Sequence, residues 1–221
     1  MAITLTAAKE AIANVDVNRA ADYEAYFETL APKTLDDVFR RWMFAYASVH
    51  TTWENNCKLY EQLKPLDWIG NDQLLLERVT ASKAGMQNMR TKFISQFTEF
   101  FWRHPTWFNK SPTETWFEYR DRIMKRAPGI GLAKAAFFIE LTCFHKSKVA
   151  CFDTHMVQLY GFTPKEYAAG KVRGKDFTRM EQHWTNACLR RKLSPVTARW
   201  IVWDIKKQKQ NSKYWTYVLE T

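Results

Sequence analysis

The sequence predicts an all-α protein, and three observations carry the prediction. Only 7 Gly and 7 Pro punctuate 221 residues. The long segments between them place apolar residues three and four apart, which lines one face of a helix, and lack the alternation of a half-buried strand. With 46% apolar and 15% aromatic residues, a chain of this length buries a sizeable core.

The opening residues, MAITLTAAKEAIANVD, read as an amphipathic helix. Asn18 to Leu30 forms a second pattern with Tyr23, Tyr26, Phe27 and Leu30 on one face. Pro32 ends it, because its ring removes a donor and clashes with the preceding turn. Thr34 is placed to cap a third helix, with Asp36 and Asp37 in the first turn where the helix dipole favours carboxylates. The pattern predicts one helix from there through Val38, Trp42, Tyr46 and Val49 to around Leu63. PLDWIGND, from Pro65 to Asp72, is a turn cluster, and helices follow over Asp72 to Ser82 and Met86 to Trp102. Arg103 to Thr113 carries two prolines and reads as a linker or an inter-lobe loop. The expected organisation is therefore an N-terminal helical lobe over 1–110 and a second, basic lobe over 111–221, sharing one cleft.

In the second lobe Ser111 or Thr113 is placed to cap a helix through Trp116, Tyr119 and Ile123 to Met124, ending in the basic trio Arg122, Lys125 and Arg126. Pro128 forbids its continuation. After Gly131 another helix carries Leu132, Ala135, Ala136, Ile139 and Cys143 at helical spacing, so the two form a helix-hairpin-helix unit. Lys146 to Lys148 is a polar break, Val149 to Phe152 an apolar approach, and Asp153 begins a helix that ends at Gly161. Thr163-Pro164 starts a short helix, Gly170 to Gly174 is a basic loop, and helices over Asp176 to Lys192 and Ser194 to Lys209 follow.

The net charge of +10 is unevenly placed. From Met1 to Asp121 there are 14 basic and 16 acidic residues, whereas Arg122 to Lys209 holds 18 basic and 6 acidic. A concentrated positive field attracts polyanions, nucleic acid foremost among them, although a solvated basic face accounts for many of the same residues. Arg179, Arg190, Arg191, Lys192, Arg199, Lys206 and Lys207 are phosphate-contact candidates on that basis. The four cysteines, Cys57, Cys143, Cys151 and Cys188, form no CxxC pair or metal-ligand cluster, so reduced thiols and no metal are expected. Cys151 lies in an apolar stretch and reads as buried and inert. No apolar run reaches membrane-spanning length and no leader pattern opens the chain, which points to a cytoplasmic protein.

Two features carry chemistry. Pro128-Gly129-Ile130-Gly131 is a tight turn feeding a helix N-terminus, whose unpaired amides and positive dipole suit one phosphate without reading sequence. Arg126 and Lys134 flank it as further DNA-contact candidates, Lys134 being better explained as surface charge. Downstream, Asp153-Thr154-His155 places a carboxylate at the start of a helix, as an N-cap or as a catalytic group. His155, alternatively a structural histidine, and Thr154 are candidate site-lining residues, and so is Trp116, which alternatively packs in the core.

Together, PGIG and D-T-H separated by one helix resemble the helix-hairpin-helix DNA glycosylase superfamily over roughly Glu114 to Gly161. The resemblance implies a two-lobed helical fold and a monomeric enzyme that binds double-stranded DNA, flips out one nucleotide and hydrolyses the N-glycosidic bond of a damaged or modified base. It assigns Asp153 to stabilising the oxocarbenium-like sugar, with help in activating the attacking water as a further role, and implies no cofactor. Members that also cut the strand use a lysine two residues after the second hairpin glycine. That position is Ala133 here, so no lyase activity is expected. The clustered C-terminal cysteines that hold an iron-sulfur centre in many relatives are missing too, since only Cys188 falls in that region. Some phage proteins resembling these glycosylases take part in thymine hypermodification, in which an amine or amino acid displaces an activated group on the 5-methyl carbon. Such a transferase is the alternative reading, in a bacterial or phage-infected cell. A helix-hairpin-helix DNA-binding protein without chemistry is the second alternative.

Overall fold

A computed structural model describes residues 3–144, 146–172 and 174–206. Among them lie twelve α-helices and no strand: α1 (Thr6–Ala13), α2 (Val17–Glu28), α3 (Leu35–Ala47), α4 (Trp53–Leu63), α5 (Asp72–Ala81), α6 (Gln87–Arg103), α7 (Trp116–Met124), α8 (Leu132–Thr142), α9 (Thr154–Gln158), α10 (Pro164–Ala168), α11 (Gly174–Arg190) and α12 (Pro195–Lys206). The expected all-α class is observed. Lys207 and the expected end of the last helix at Lys209 lie outside the described residues.

The contacts group the chain into two compact units, one of residues 32–142 and one of residues 3–31 with 143–206. The units divide the chain differently from the lobes read off the sequence, and packing gives the reason. In the discontinuous unit α12 is the central helix, buried at every position from Pro195 to Asp204. Phe27 of α2 packs on Phe144 with ring centroids 3.7 Å apart and lies 6.3 Å from Trp200. The Thr197 hydroxyl donates to Glu24 at 3.2 Å, the Tyr23 hydroxyl donates to Asp204, and an Arg191 guanidinium N–H donates to the Ile12 carbonyl. The N-terminal helices thus complete the core around α12.

In the continuous unit α3 packs on α8 and α4, and α5 on α6. Trp42 stacks on Phe138 at 3.8 Å, with Phe97, Phe39, Phe101 and Phe108 filling the same core. Full burial of each such ring stabilises by roughly 1.5–3 kcal/mol before packing terms. α8 is apolar nearly all round and accordingly buried from Ala135 to Leu141.

Three local expectations need correction. The helix read from Thr34 to Leu63 is two helices: it stops at Ala47, the chain turns through His50 at φ +45°, and the Thr52 side chain caps α4 by accepting from the Asn55 amide at 3.3 Å. α7 is capped by Thr115, not by Ser111 or Thr113, in a capping box with Glu118. The helix after Asp153 ends at Gln158.

Nor is 103–113 a linker between units. Pro105–Phe108 forms a 3-10 turn, Phe108 is buried, and the Tyr119 hydroxyl donates to its carbonyl at 2.7 Å. Arg122 bolts the segment down. Its guanidinium donates to both Glu114 oxygens at 2.9 and 2.6 Å, to the Asn109 carbonyl at 2.8 Å and to the Trp107 carbonyl. Arg122→Ala is expected to cost about 2 kcal/mol in chemical denaturation at neutral pH. The hydrogen bond from Arg122 is the largest influence holding the Glu114 carboxyl below its ordinary value. A depressed folded value stabilises above the unfolded one and loses that contribution as pH falls through the folded value. The gap between wild type and Arg122→Ala should therefore narrow when the melts are repeated in acid, and an unchanged gap would count against the pairing.

Candidate functional site

The hairpin lies in the continuous unit. α7 ends at Met124, and the Lys125, Arg126 and Ala127 amides close the last turn on the carbonyls of Arg122, Ile123 and Met124 at 3.1, 3.1 and 3.2 Å. The Ile130 amide returns to the Ala127 carbonyl at 3.0 Å, and both of those side chains are buried, so the turn is anchored from below. Gly129 and Gly131 are exposed and Pro128 is half-buried. Gly129 has φ +76°, a region that disfavours any Cβ, and a Cβ there would lie 2.7 Å from Phe93 Cε2. Gly131 is different: a Cβ would meet nothing within 4 Å. Its carbonyl accepts from the Lys134 and Ala135 amides at 3.0 and 2.9 Å, so α8 starts here.

The flanking cations divide. Arg126 is exposed, with its guanidinium 5.2 Å from the Phe100 ring centroid. Lys134 is half-buried and its ammonium lies 5.5 Å from the Phe137 ring centroid on the same helix. Ala133, at the position where the resemblance looks for a Schiff-base lysine, is buried. Trp116 is half-buried at the start of α7, and Lys110 covers its ring at 5.2 Å.

Asp153 lies in the discontinuous unit. The approach to it is pinned: Val149 to Phe152 is buried, the Thr185 hydroxyl donates to the Lys148 carbonyl at 2.9 Å, and the Tyr167 hydroxyl donates to the Phe152 carbonyl at 3.1 Å. Asp153 itself is extended (φ −80°, ψ −175°) and caps α9, its Oδ1 accepting from the His155 and Met156 amides at 2.9 and 3.1 Å. Its Oδ2 accepts from Arg199 Nη2 of α12 at 3.0 Å. The Asp153 side chain remains 20% exposed while that of Arg199 is 3% exposed. Burial is the main cause that raises the Tyr167 hydroxyl well above its ordinary value, with the nearby charges of Cys151, Asp153 and Glu181 adding to it, so Tyr167 stays neutral beside the carboxylate.

The structure thus brings Asp153, Thr154 and His155 together with Arg199 and Tyr167. Thr154 is half-buried at the first position of α9. The half-buried His155 ring meets Trp203 edge-on at 6.4 Å, and its carbonyl accepts from Lys206 at 3.3 Å. Two phosphate-contact candidates change role: Arg199 is buried against Asp153, and Arg191 holds α1. Arg179, Arg190 and Lys192 are exposed. The signal for Arg199 was in the sequence, since a lone charge inside PVTARWIVW sits on a helix that is apolar on every face and has to be paired. Burial pushes the Cys188 thiol up to about 12, which leaves it inert at neutral pH. Among the described residues no three His, Cys, Asp or Glu side chains group to hold a metal, and no helix is long and apolar enough to cross a membrane.

No protein-family model matches the chain, and no curated protein does. Among solved structures, the 8-oxoguanine DNA glycosylase of Thermotoga maritima is similar, with a TM-score of 0.63 and 17% sequence identity over 81% of this chain and 84% of that one. At that identity the likeness establishes the fold, a helical DNA glycosylase fold.

Proposed function

We propose that this chain, with its helical DNA glycosylase fold, binds duplex DNA, extrudes one nucleotide and hydrolyses the N-glycosidic bond of a damaged or modified base, with Asp153 as the catalytic residue. The observation that carries the reading is the Asp153 carboxylate, fixed through both oxygens yet 20% exposed, in a chain of this fold. The exposed Gly131, where α8 starts and where a Cβ would meet nothing within 4 Å, supports phosphate binding at the hairpin, since an oxygen can approach the backbone there. Arg126 adds a cation there and Lys134 a weaker one.

In the reaction the C1′–N bond breaks and its electron pair passes to the base nitrogen. Positive charge develops on the deoxyribose, and a preorganised carboxylate facing it lowers the barrier because the protein has already oriented it. Water then adds its oxygen to C1′ and its proton ends on the departing base.

Duplexes carrying modified pyrimidines, alkylated purines or 8-oxoguanine, the base in the Thermotoga enzyme's name, test the reading when bases and nucleosides are analysed by mass. Release of a free base is the expected result. A retained nucleoside of increased mass, formed when an amine or amino acid is supplied, would instead assign the site to transfer onto the thymine 5-methyl carbon. Salt-insensitive failure to shift any duplex would remove both readings.

Strand cleavage is not expected. Ala133 offers no amine at the Schiff-base position, and the Lys134 ammonium one residue on is laid over Phe137. Borohydride reduction during turnover should trap no covalent DNA adduct, and a trapped adduct lost in Lys134→Ala would overturn the assignment.

A further inference from the structure

We propose that Arg199 is a positioning residue for this reaction: it keeps the Asp153 carboxylate ionised and in one orientation, so that Asp153 faces the sugar as a fixed negative charge rather than as the base that deprotonates water. The inference rests on the reading of Asp153 given above.

The geometry divides the two oxygens. Oδ1 is committed to the His155 and Met156 amides at 2.9 and 3.1 Å, and Oδ2 to Arg199 Nη2 at 3.0 Å. Rotation about either side-chain bond breaks at least one set, so the carboxylate plane is defined from two sides. Arg199 is itself immobile. It is 2% exposed, it sits midway along the buried stretch of α12, and its guanidinium lies 4.4 Å from the Trp200 ring centroid.

A carboxylate that accepts three hydrogen bonds, one of them from a guanidinium, is a poor proton acceptor, because each bond favours the charged form. The same bonds make it a good electrostatic partner for a developing cation, since no reorientation is needed when the charge appears. Titratable groups near the pair include His155 on α9, Lys206 on α12, which donates to the His155 carbonyl at 3.3 Å, and Tyr167 on α10 with Cys151 and Glu181 acting on it. Tyr167 is neutral with its hydroxyl bound to the Phe152 carbonyl, and Arg199 is a cation in hydrogen-bond contact with Asp153. In the balanced step the proton released as water adds to C1′ goes to the base nitrogen, and Asp153 begins and ends unprotonated.

The test uses Arg199→Met and Arg199→Lys in the full chain, read in two ways. First, with aspartate carboxyls labelled with carbon-13, the Asp153 signal is assigned by its loss in Asp153→Asn and followed through acid pH without DNA. Arg199→Met should move its midpoint up by about 1 pH unit or more, and Arg199→Lys by much less, because the charge is kept. Second, single-turnover base release should fall about 100-fold in Arg199→Met and about 10-fold in Arg199→Lys, whose ammonium lacks the planar fork, at unchanged DNA affinity. A purely structural arginine lowers the melting temperature without moving the midpoint. An unchanged midpoint in folded Arg199→Met overturns the proposal, and so does a wild-type rate in Arg199→Lys if the methionine variant does not fold. Absence of base release by the wild-type chain sinks the glycosylase reading instead, and a shifted midpoint in that case leaves the pairing of Arg199 with Asp153 standing.

Discussion

Asp153→Asn is expected to lower base release by on the order of 10³-fold or more while duplex affinity stays within about threefold of wild type. Asparagine is as good an N-cap as aspartate, so the two bonds from the His155 and Met156 amides to Oδ1 are kept and α9 stays capped. What the substitution removes is the negative charge. That has two separable consequences. On the proposed reaction the sugar cation would lose its counter-charge, which affects rate, and Arg199 loses a carboxylate partner at a site 2% exposed, which affects stability. Breaking one side of such a pair costs about 3 kcal/mol, seen as a lower midpoint in denaturant. Pairing the change with Arg199→Met should recover much of the stability and none of the rate, since it removes the buried guanidinium left without its carboxylate and leaves a neutral pair. Single-turnover release, anisotropy with labelled duplex and denaturant melts on the same four proteins check this. Retained release in Asp153→Asn, or affinity that falls in step with rate, would leave Asp153 as a cap alone.

That the carboxylate is both cap and ion-pair partner shows where sequence reading works and where it stops. The hairpin was legible because Pro128 ends one helix, Gly131 opens the next, and both signals are local. The Asp153 cap was legible for the same reason. Arg199 was visible as a charge, but its partner lies 46 residues away in sequence and no periodicity names it. The grouping of the chain failed to show for a like reason. The apolar face of α2 announces that Phe27 is buried, not that it is buried on Phe144 and Trp200. Conversely, the two prolines of 103–113 suggested a free linker, while the decisive residue was Arg122, which ties that segment to α7. The break between α3 and α4 went unseen because no Gly or Pro marks it. Thr52 with Glu54 was the available signal, a cap inside what read as a continuous apolar stripe.

Gly129→Ala and Gly131→Ala, two substitutions that look alike on paper, should have opposite signatures. Gly129 adopts φ +76°, and forcing an alanine there costs about 1–2 kcal/mol in backbone strain alone. The new Cβ also falls within 2.7 Å of Phe93 Cε2, so the ring or the turn has to move, and a total of about 3 kcal/mol is expected. A turn displaced this way misaims the first amides of α8, and duplex affinity should drop about tenfold with the fall in stability. Adding Phe93→Ala makes room for the Cβ but leaves the dihedral strain, so it should restore only part of either loss relative to Phe93→Ala alone. Gly131 carries no such demand. Its Cβ would enter empty space, so Gly131→Ala should leave the melt within about 0.5 kcal/mol of wild type. If that space is where a phosphate approaches the α8 amides, the added methyl meets the ligand instead of the protein, and affinity should fall severalfold with stability unchanged. Wild-type affinity in a stable Gly131→Ala protein would move the phosphate contact away from the hairpin, because only a ligand distinguishes that methyl from solvent.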